Sequence, residues 1–210
     1  MGRVGVLKRF FSRQARKPSG LFGRFVAARI FDKANRVMNE RMLELLSVAP
    51  GEKMLEIGFG CGDIIRTVCD QVPDVTVEGI DFSGAMLAVA RKRNHRHITQ
   101  GRVRLVHGDF DRTAYSPASF DAVCSANTIY FWSDPAATIT RIHAVLKPGG
   151  RFVLAFVDKS RMENMGMDPD VFTPIGVDEV HSLFTQVGFT DIDAQDVDDR
   201  GVMFCMTGRA

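Results

Sequence analysis

The chain has 210 residues, 45% of them apolar and 25% charged, the proportions of a globular protein and enough for one domain with an appendage. Its formal net charge of +2 is too small to imply a partner by itself. Four scattered cysteines (Cys61, Cys69, Cys124, Cys205) contain no Cys-x-x-Cys pair, which argues against a zinc site or disulfide framework and points to a reduced, cytoplasmic setting; no apolar run approaches the ~18–20 residues of a membrane span.

In chain order, Val4, Leu7, Phe10 and Phe11 share one side of a helical stretch over 4–16, broken by Lys17-Pro18-Ser19-Gly20. A second helical pattern carries Leu21, Phe22, Phe25, Val26, Ile30 and Phe31. Residues 1–31 are basic and free of acids, but their serines are too sparse for an organellar transit peptide. A third helix over about 32–46 has the apolar stripe Val37, Met38, Met42, Leu45 and Leu46, with Asn35 and Asn39 together on one face. Pro50-Gly51 turns the chain toward a strand, so residues 1–48 read as a helical extension or cap and 49–210 as the main domain. Strands and helices then alternate: strands at 53–57, 75–80, 103–107, 121–126 and 151–157, helices at 63–71, 84–94 and 135–146. That alternation predicts an α/β, doubly wound, mostly parallel sheet covered on both faces. Asp63 and Ser83 are expected N-caps, and Pro135 after Asp134 suits a first helical turn. The segment 158–176, rich in methionine and proline, reads as an irregular loop at the ligand-binding edge; a helix over 177–187 ended by Gly188 and strands near 190–195 and 202–207 complete the chain.

The most informative stretch is Met54-Leu55-Glu56-Ile57-Gly58-Phe59-Gly60-Cys61-Gly62, an apolar strand with an acid near its end and glycines at alternate positions. Such glycines let the chain turn tightly and let a ligand approach the main chain. A dinucleotide-binding turn has Gly-x-Gly-x-x-Gly, and here Asp63 occupies the place of its third glycine. Further landmarks follow in order: Gly79-Ile80-Asp81-Phe82-Ser83, His107-Gly108-Asp109-Phe110, Phe120-Asp121-Ala122-Val123 and Leu146-Lys147-Pro148-Gly149-Gly150.

Together these residues resemble class I S-adenosylmethionine-dependent methyltransferases over about 45–210, in the small-molecule branch that includes quinone-biosynthesis enzymes. The resemblance implies a Rossmann-like seven-stranded sheet with an antiparallel last strand, behind the N-terminal helical cap. It also implies methyl transfer from S-adenosylmethionine to a small organic acceptor by in-line displacement. Gly58, Phe59, Gly60 and Gly62 would form the cofactor turn, with Glu56 near the methionyl end. Asp81 would hold the ribose, Phe82 and Met86 would pack on adenine, and Gly108, Asp109 and Phe110 would form the adenine edge. Asn127 would meet the methionyl part, and Tyr130 is the candidate for orienting the acceptor as a catalytic residue. Phe131 and Trp132 would wall the substrate or the adenosine.

No histidines have metal-ligand spacing, and no Asn/Asp-Pro-Pro-Tyr box follows the fourth strand. The basic run 91–104 lacks the interleaved aromatics of a single-stranded nucleic-acid platform. Three other readings stand beside a small acceptor: a lipid substrate at a membrane surface, a non-catalytic cofactor-binding partner subunit, and a nicotinamide-dependent oxidoreductase. The basic N-terminal helix is open to three roles: peripheral membrane contact, closure of the cleft, or a homodimer contact.

Overall fold

A computed structural model of the chain describes residues 36–165, 168–197 and 199–210. The helical readings over 4–16 and 21–31, and Asn35, lie outside them. The elements are α1 (Arg36–Leu46), β1 (Lys53–Ile57), α2 (Asp63–Gln71), β2 (Thr76–Asp81), α3 (Gly84–Arg93), α4 (His95–Thr99), β3 (Val103–His107), β4 (Phe120–Ala126), α5 (Pro135–Val145), β5 (Leu146–Val157), α6 (Lys159–Asn164), α7 (Val177–Val187), β6 (Thr190–Asp196) and β7 (Met203–Arg209). The seven strands form one sheet in the order β3-β2-β1-β4-β5-β7-β6. β1 to β5 run parallel, and β7 is antiparallel to both of its neighbours.

Parallel strands covered on both faces need near-continuous apolar sequence, and β1 and β4 have it. Successive side chains point to opposite faces. Leu55 and Ile57 of β1 therefore join Val123, Phe152 and Leu154 beneath Ile139 and Ile142 of α5 and Val180 and Phe184 of α7. Met54 joins Cys124 and Val153 beneath α1, α2 and α3, which contribute Met42, Ile65, Val68 and Leu87.

Helix α1 belongs to this second layer. Met38, Met42 and Leu46 recur every fourth residue on one face and are 0–1% exposed. Burial of each contributes about 1.5–3 kcal/mol. Val37 falls outside this stripe and is 53% exposed, about a quarter-turn from Met38. The helix ends on Arg151, which donates to the carbonyls of Leu46 and Ser47 and pairs with Glu52. A cation at a helix C-terminus satisfies carbonyls that have no partner within the helix.

The expected caps hold at Ser83, which accepts from Met86 N, and at Asp134, which accepts from Ala137 N ahead of Pro135. Gly188 ends α7 at φ 103°. The N-cap of α2 is Gly62 in the left-handed region, not Asp63, which is the first helical residue. Several bounds shift by one or two residues, and three differences are larger. The helix expected to end at 146 stops at Val145, because Leu146 is already extended and opens β5. The basic run contains the five-residue helix α4, and the methionine-rich segment contains α6, capped by Asp158 and seated by Met162 at 4% exposure. Helices of one or two turns carry too few apolar positions to show a period. Among the described residues no helix is long and apolar enough to cross a membrane.

Candidate functional site

The strand order reverses between β1 and β4, so the loops leaving their carboxyl ends diverge and open a crevice there. The loop after β1 turns through Gly58, Gly60 and Gly62 at φ 75°, 49° and 74°, values that side-chain-bearing residues rarely adopt. The three glycines differ in what surrounds them. A Cβ on Gly58 would run into Thr128 Cγ2, and one on Gly62 would stand 2.6 Å from Asn94 Nδ2 and 2.9 Å from Ala90 Cβ. Gly60 has no heavy atom within 4 Å of that position. Gly58 and Gly62 are therefore required by packing within the protein, whereas Gly60 borders open space where a ligand can reach the main chain.

Asp81 closes β2 and is 8% exposed. Its Oδ2 accepts from Gly60 N at 2.9 Å and its Oδ1 from Ser83 N at 2.7 Å. It thus ties the glycine turn to the turn that opens α3.

Glu56 is 2% exposed, and its Oε2 has no hydrogen-bond partner. Burial first, then the neighbouring Asp81 and Asp63 carboxylates, push its carboxyl well above the usual range, against the Ile65 N–H, which lowers it. A buried acid with an unused oxygen, surrounded by other acids, is matched to a cationic ligand. Asp63 itself pairs with Arg93 and, at 3.5 Å, with Arg66.

Asp109 is exposed, caps the short turn Phe110–Arg112 through Asp111 N at 3.1 Å, and stands 3.7 Å from Arg112. Gly108 donates its N–H to Asp81 O at 3.0 Å, which locks this edge to β2. Phe82 is half-buried in the turn after Asp81.

On the other side of the crevice, Asn127 follows β4 at φ 55°, a conformation that asparagine tolerates. Its amide donates to Met38 Sδ at 3.5 Å, which brings α1 to the crevice. Asn39, on the same helix, has a buried Oδ1 with no partner. An open groove of about 630 Å³ runs between α1 and α2, past Asn39, Leu43, Ile64 and Thr67. Its lining comes from α1 and α2 alone, with no residue of the loops at the carboxyl edge.

Several expected site residues turn inward. Phe59 is 3% exposed, and its ring with Ile65 fills the space left by the missing side chain of Gly79. Phe110 is 5% exposed, 5.7 Å from the Tyr115 ring and with the Arg141 guanidinium over its face. Neither ring is free to stack on a ligand. Met86 is buried beside Cys61, with the two sulfurs 3.9 Å apart beneath the glycine turn. Tyr130 is 4% exposed; its hydroxyl contacts both the N–H and the carbonyl of Val157 and donates to Asn127 Oδ1 at 3.2 Å. Burial above all holds this phenol well above its usual pKa. It is a locked strut between β4 and β5 in place of the expected acceptor-orienting group.

The sequence reading missed Asn94, Ser125 and Thr128. Asn94 is fully buried and donates to Gly62 O at 3.0 Å. Ser125 donates to Ile57 O at 2.7 Å and meets the Thr128 hydroxyl, whose methyl faces Gly58. A tight glycine turn needs partners, but one sequence does not show where in the chain they lie.

The sequence profile of the family described as "Methyltransferase domain" matches residues 54–150. The chain is 32% identical over 171 residues to the uncharacterized methyltransferase YdaC of Bacillus subtilis, covering 81% of this chain and 89% of that protein. It is 26% identical to an O-methyltransferase of Pyrenophora dematioidea over 78% of this chain and 64% of that one. In structure it resembles Haemonchus contortus phosphoethanolamine N-methyltransferase 2, solved with phosphomonomethylethanolamine and S-adenosylhomocysteine. The TM-score is 0.73 at 20-odd per cent identity (23%), over 86% of this chain and 45% of that one.

Proposed function

This chain belongs to the class I S-adenosylmethionine-dependent methyltransferases, and on that premise we propose that it methylates a small organic acceptor in the crevice above β1 and β4. Two observations carry this reading: Glu56, near the end of β1, has a buried Oε2 with no partner, and Gly60, in the turn that follows, borders open space. These residues fit the cofactor, which when bound supplies an electrophilic methyl group on a cationic sulfonium. Glu56 takes the positively charged methionyl end, Gly58, Gly60 and Gly62 shape the turn along it, and Asp81 accepts from the ribose hydroxyls. Asp109, with the Gly108 backbone, takes the adenine edge beside Phe82, and Asn127 borders the methionyl part. Phe59, Phe110 and Met86 support these loops from below.

The chain's contribution to the reaction is alignment, the main requirement when the leaving group is good. Tyr130 is given no proton-transfer role, since its hydroxyl is held by Val157. The small-acceptor reading is supported by the O-methyltransferase and phosphoethanolamine N-methyltransferase relatives. A nicotinamide reading is disfavoured by the antiparallel β7 inserted between β5 and β6 and by Asp63 in the third glycine position. Four buried free thiols support a reduced, cytoplasmic setting. We assign residues 49–210 to the catalytic domain and residues 1–48 to an extension whose last helix, α1, shares the domain's core.

Two measurements test the proposal. Calorimetric titration should give saturable binding of S-adenosylmethionine and S-adenosylhomocysteine and none of NAD. Incubation with S-adenosylmethionine and a fractionated metabolite extract should give a product one methylene heavier by mass spectrometry. Binding of NAD in preference to the sulfonium would overturn the assignment.

A further inference from the structure

We propose that His107 is a positioning residue for the ribose acid Asp81, an inference that rests on the cofactor reading above. His107 ends β3, directly beside Asp81 in the parallel register. It is exposed at the edge of the sheet, yet its ring does not point idly into solvent. Nε2 lies 3.1 Å from Phe82 O. A carbonyl oxygen only accepts, so this nitrogen carries the proton and donates. The ring also lies flush against the first residue of α3, since a Cβ on Gly84 would stand 3.6 Å from Cε1 and Nε2.

The grip reaches Asp81 in two steps. Phe82 precedes Ser83, whose N–H donates to Asp81 Oδ1 at 2.7 Å and whose hydroxyl accepts from Met86 N at 3.3 Å. Asp81 Oδ2 meanwhile accepts from Gly60 N at 2.9 Å. Two turns, after β1 and after β2, thus each hold one carboxylate oxygen. The first is braced by Asn94 and Thr128. His107 braces the second from the neighbouring strand. Since it lies outside the core, its loss leaves the fold intact while letting the Phe82–Ser83 turn, and Asp81 with it, lose its orientation.

The test is calorimetric titration of S-adenosylhomocysteine into the full chain and its variants. His107→Leu should raise Kd about three- to tenfold, the effect of one net hydrogen bond, and His107→Gln, which keeps an N–H donor, should stay within about twofold. Both should melt within about 2 °C of the parent. Because His107 acts through Asp81, adding His107→Leu to Asp81→Ala should weaken binding little beyond Asp81→Ala alone. Parent-like affinity in His107→Leu, equal losses in Leu and Gln, or full additivity with Asp81→Ala would each refute the positioning role while leaving the cofactor site standing. Failure of the parent chain to bind S-adenosylhomocysteine would remove both.

Discussion

Glu56, in the role proposed for it, shows how a residue suited to a ligand weakens the empty protein. Its carboxyl is raised by burial and by Asp81 and Asp63, so the folded protein holds that proton to higher pH than the unfolded chain does. For an acid raised on folding, its contribution to stability is intact below the unfolded value, near 4.5. That contribution is lost as pH rises through the folded value. Glu56→Gln, which is neutral at every pH, should therefore match the parent's thermal stability at acid pH and exceed it increasingly as pH rises, while binding S-adenosylmethionine more weakly. Melting curves across pH, paired with titrations, check both halves; a variant less stable than the parent at neutral pH would contradict the argument. Asp81 differs, since each of its oxygens already accepts from a backbone N–H before any ligand arrives. Asp81→Ala should weaken cofactor binding by about 1.5–3 kcal/mol, the scale of hydrogen bonds to a charged group, and unchanged affinity in a folded variant would remove the ribose assignment.

At the scale of elements, the glycine turn joins two different demands. Gly58 must be small because Thr128 Cγ2 occupies the space beside it, whereas Gly60 borders open space and is held to glycine within the protein only by its positive φ. Gly58→Ala should cost about 2–4 kcal/mol in urea unfolding, from a left-handed backbone and from the collision. Adding Thr128→Ser, which deletes the methyl and keeps the hydroxyl, should return the collision part, a coupling visible in a double-mutant cycle. Gly60→Ala should fold with only the backbone penalty, about 1–2 kcal/mol, and lose affinity for S-adenosylhomocysteine. If the two variants behaved alike in stability and binding, the division of labour within the turn would be wrong. The neighbouring elements explain which local readings succeeded. Ser83 and Asp134 cap their helices as their spacing to the next apolar run suggests. Asp63 does not, because Gly62, in the left-handed region, already stands in the cap position and Asp63 is the first helical residue.

For the whole molecule, ligand binding and folding are linked. The proposed site draws on the ends of β1, β2, β3 and β4, which meet only in the folded sheet, so its ligand would bind the native state alone. S-adenosylhomocysteine at about 100 times its Kd should stabilise the protein by about 2.7 kcal/mol, a rise of about 5–10 °C in melting temperature. NAD at the same concentration should leave the transition where it was. A shift of equal size with NAD, or none with either ligand, would count against the site as described.

The alternation of strands and helices, the glycine spacing and the strand-terminal acids were legible along the chain, because each depends on neighbours a few residues away. That was enough for the α/β class and for placing Glu56 within β1, Asp81 at the end of β2 and Asp109 just after β3. Phe59, Phe110, Met86 and Tyr130 read as ligand contacts from their place beside those landmarks, but a side chain's direction is settled by what fills the space around it. Gly79 leaves room for Phe59 to turn inward, Tyr115 and Arg141 hold Phe110, and Val157 holds Tyr130. Thr128 and Asn94 became part of the site for the same reason, since they brace glycines 70 and 32 residues away in sequence. Local sequence set which residues turn the chain and carry charge; only long-range packing decided which of them face the crevice.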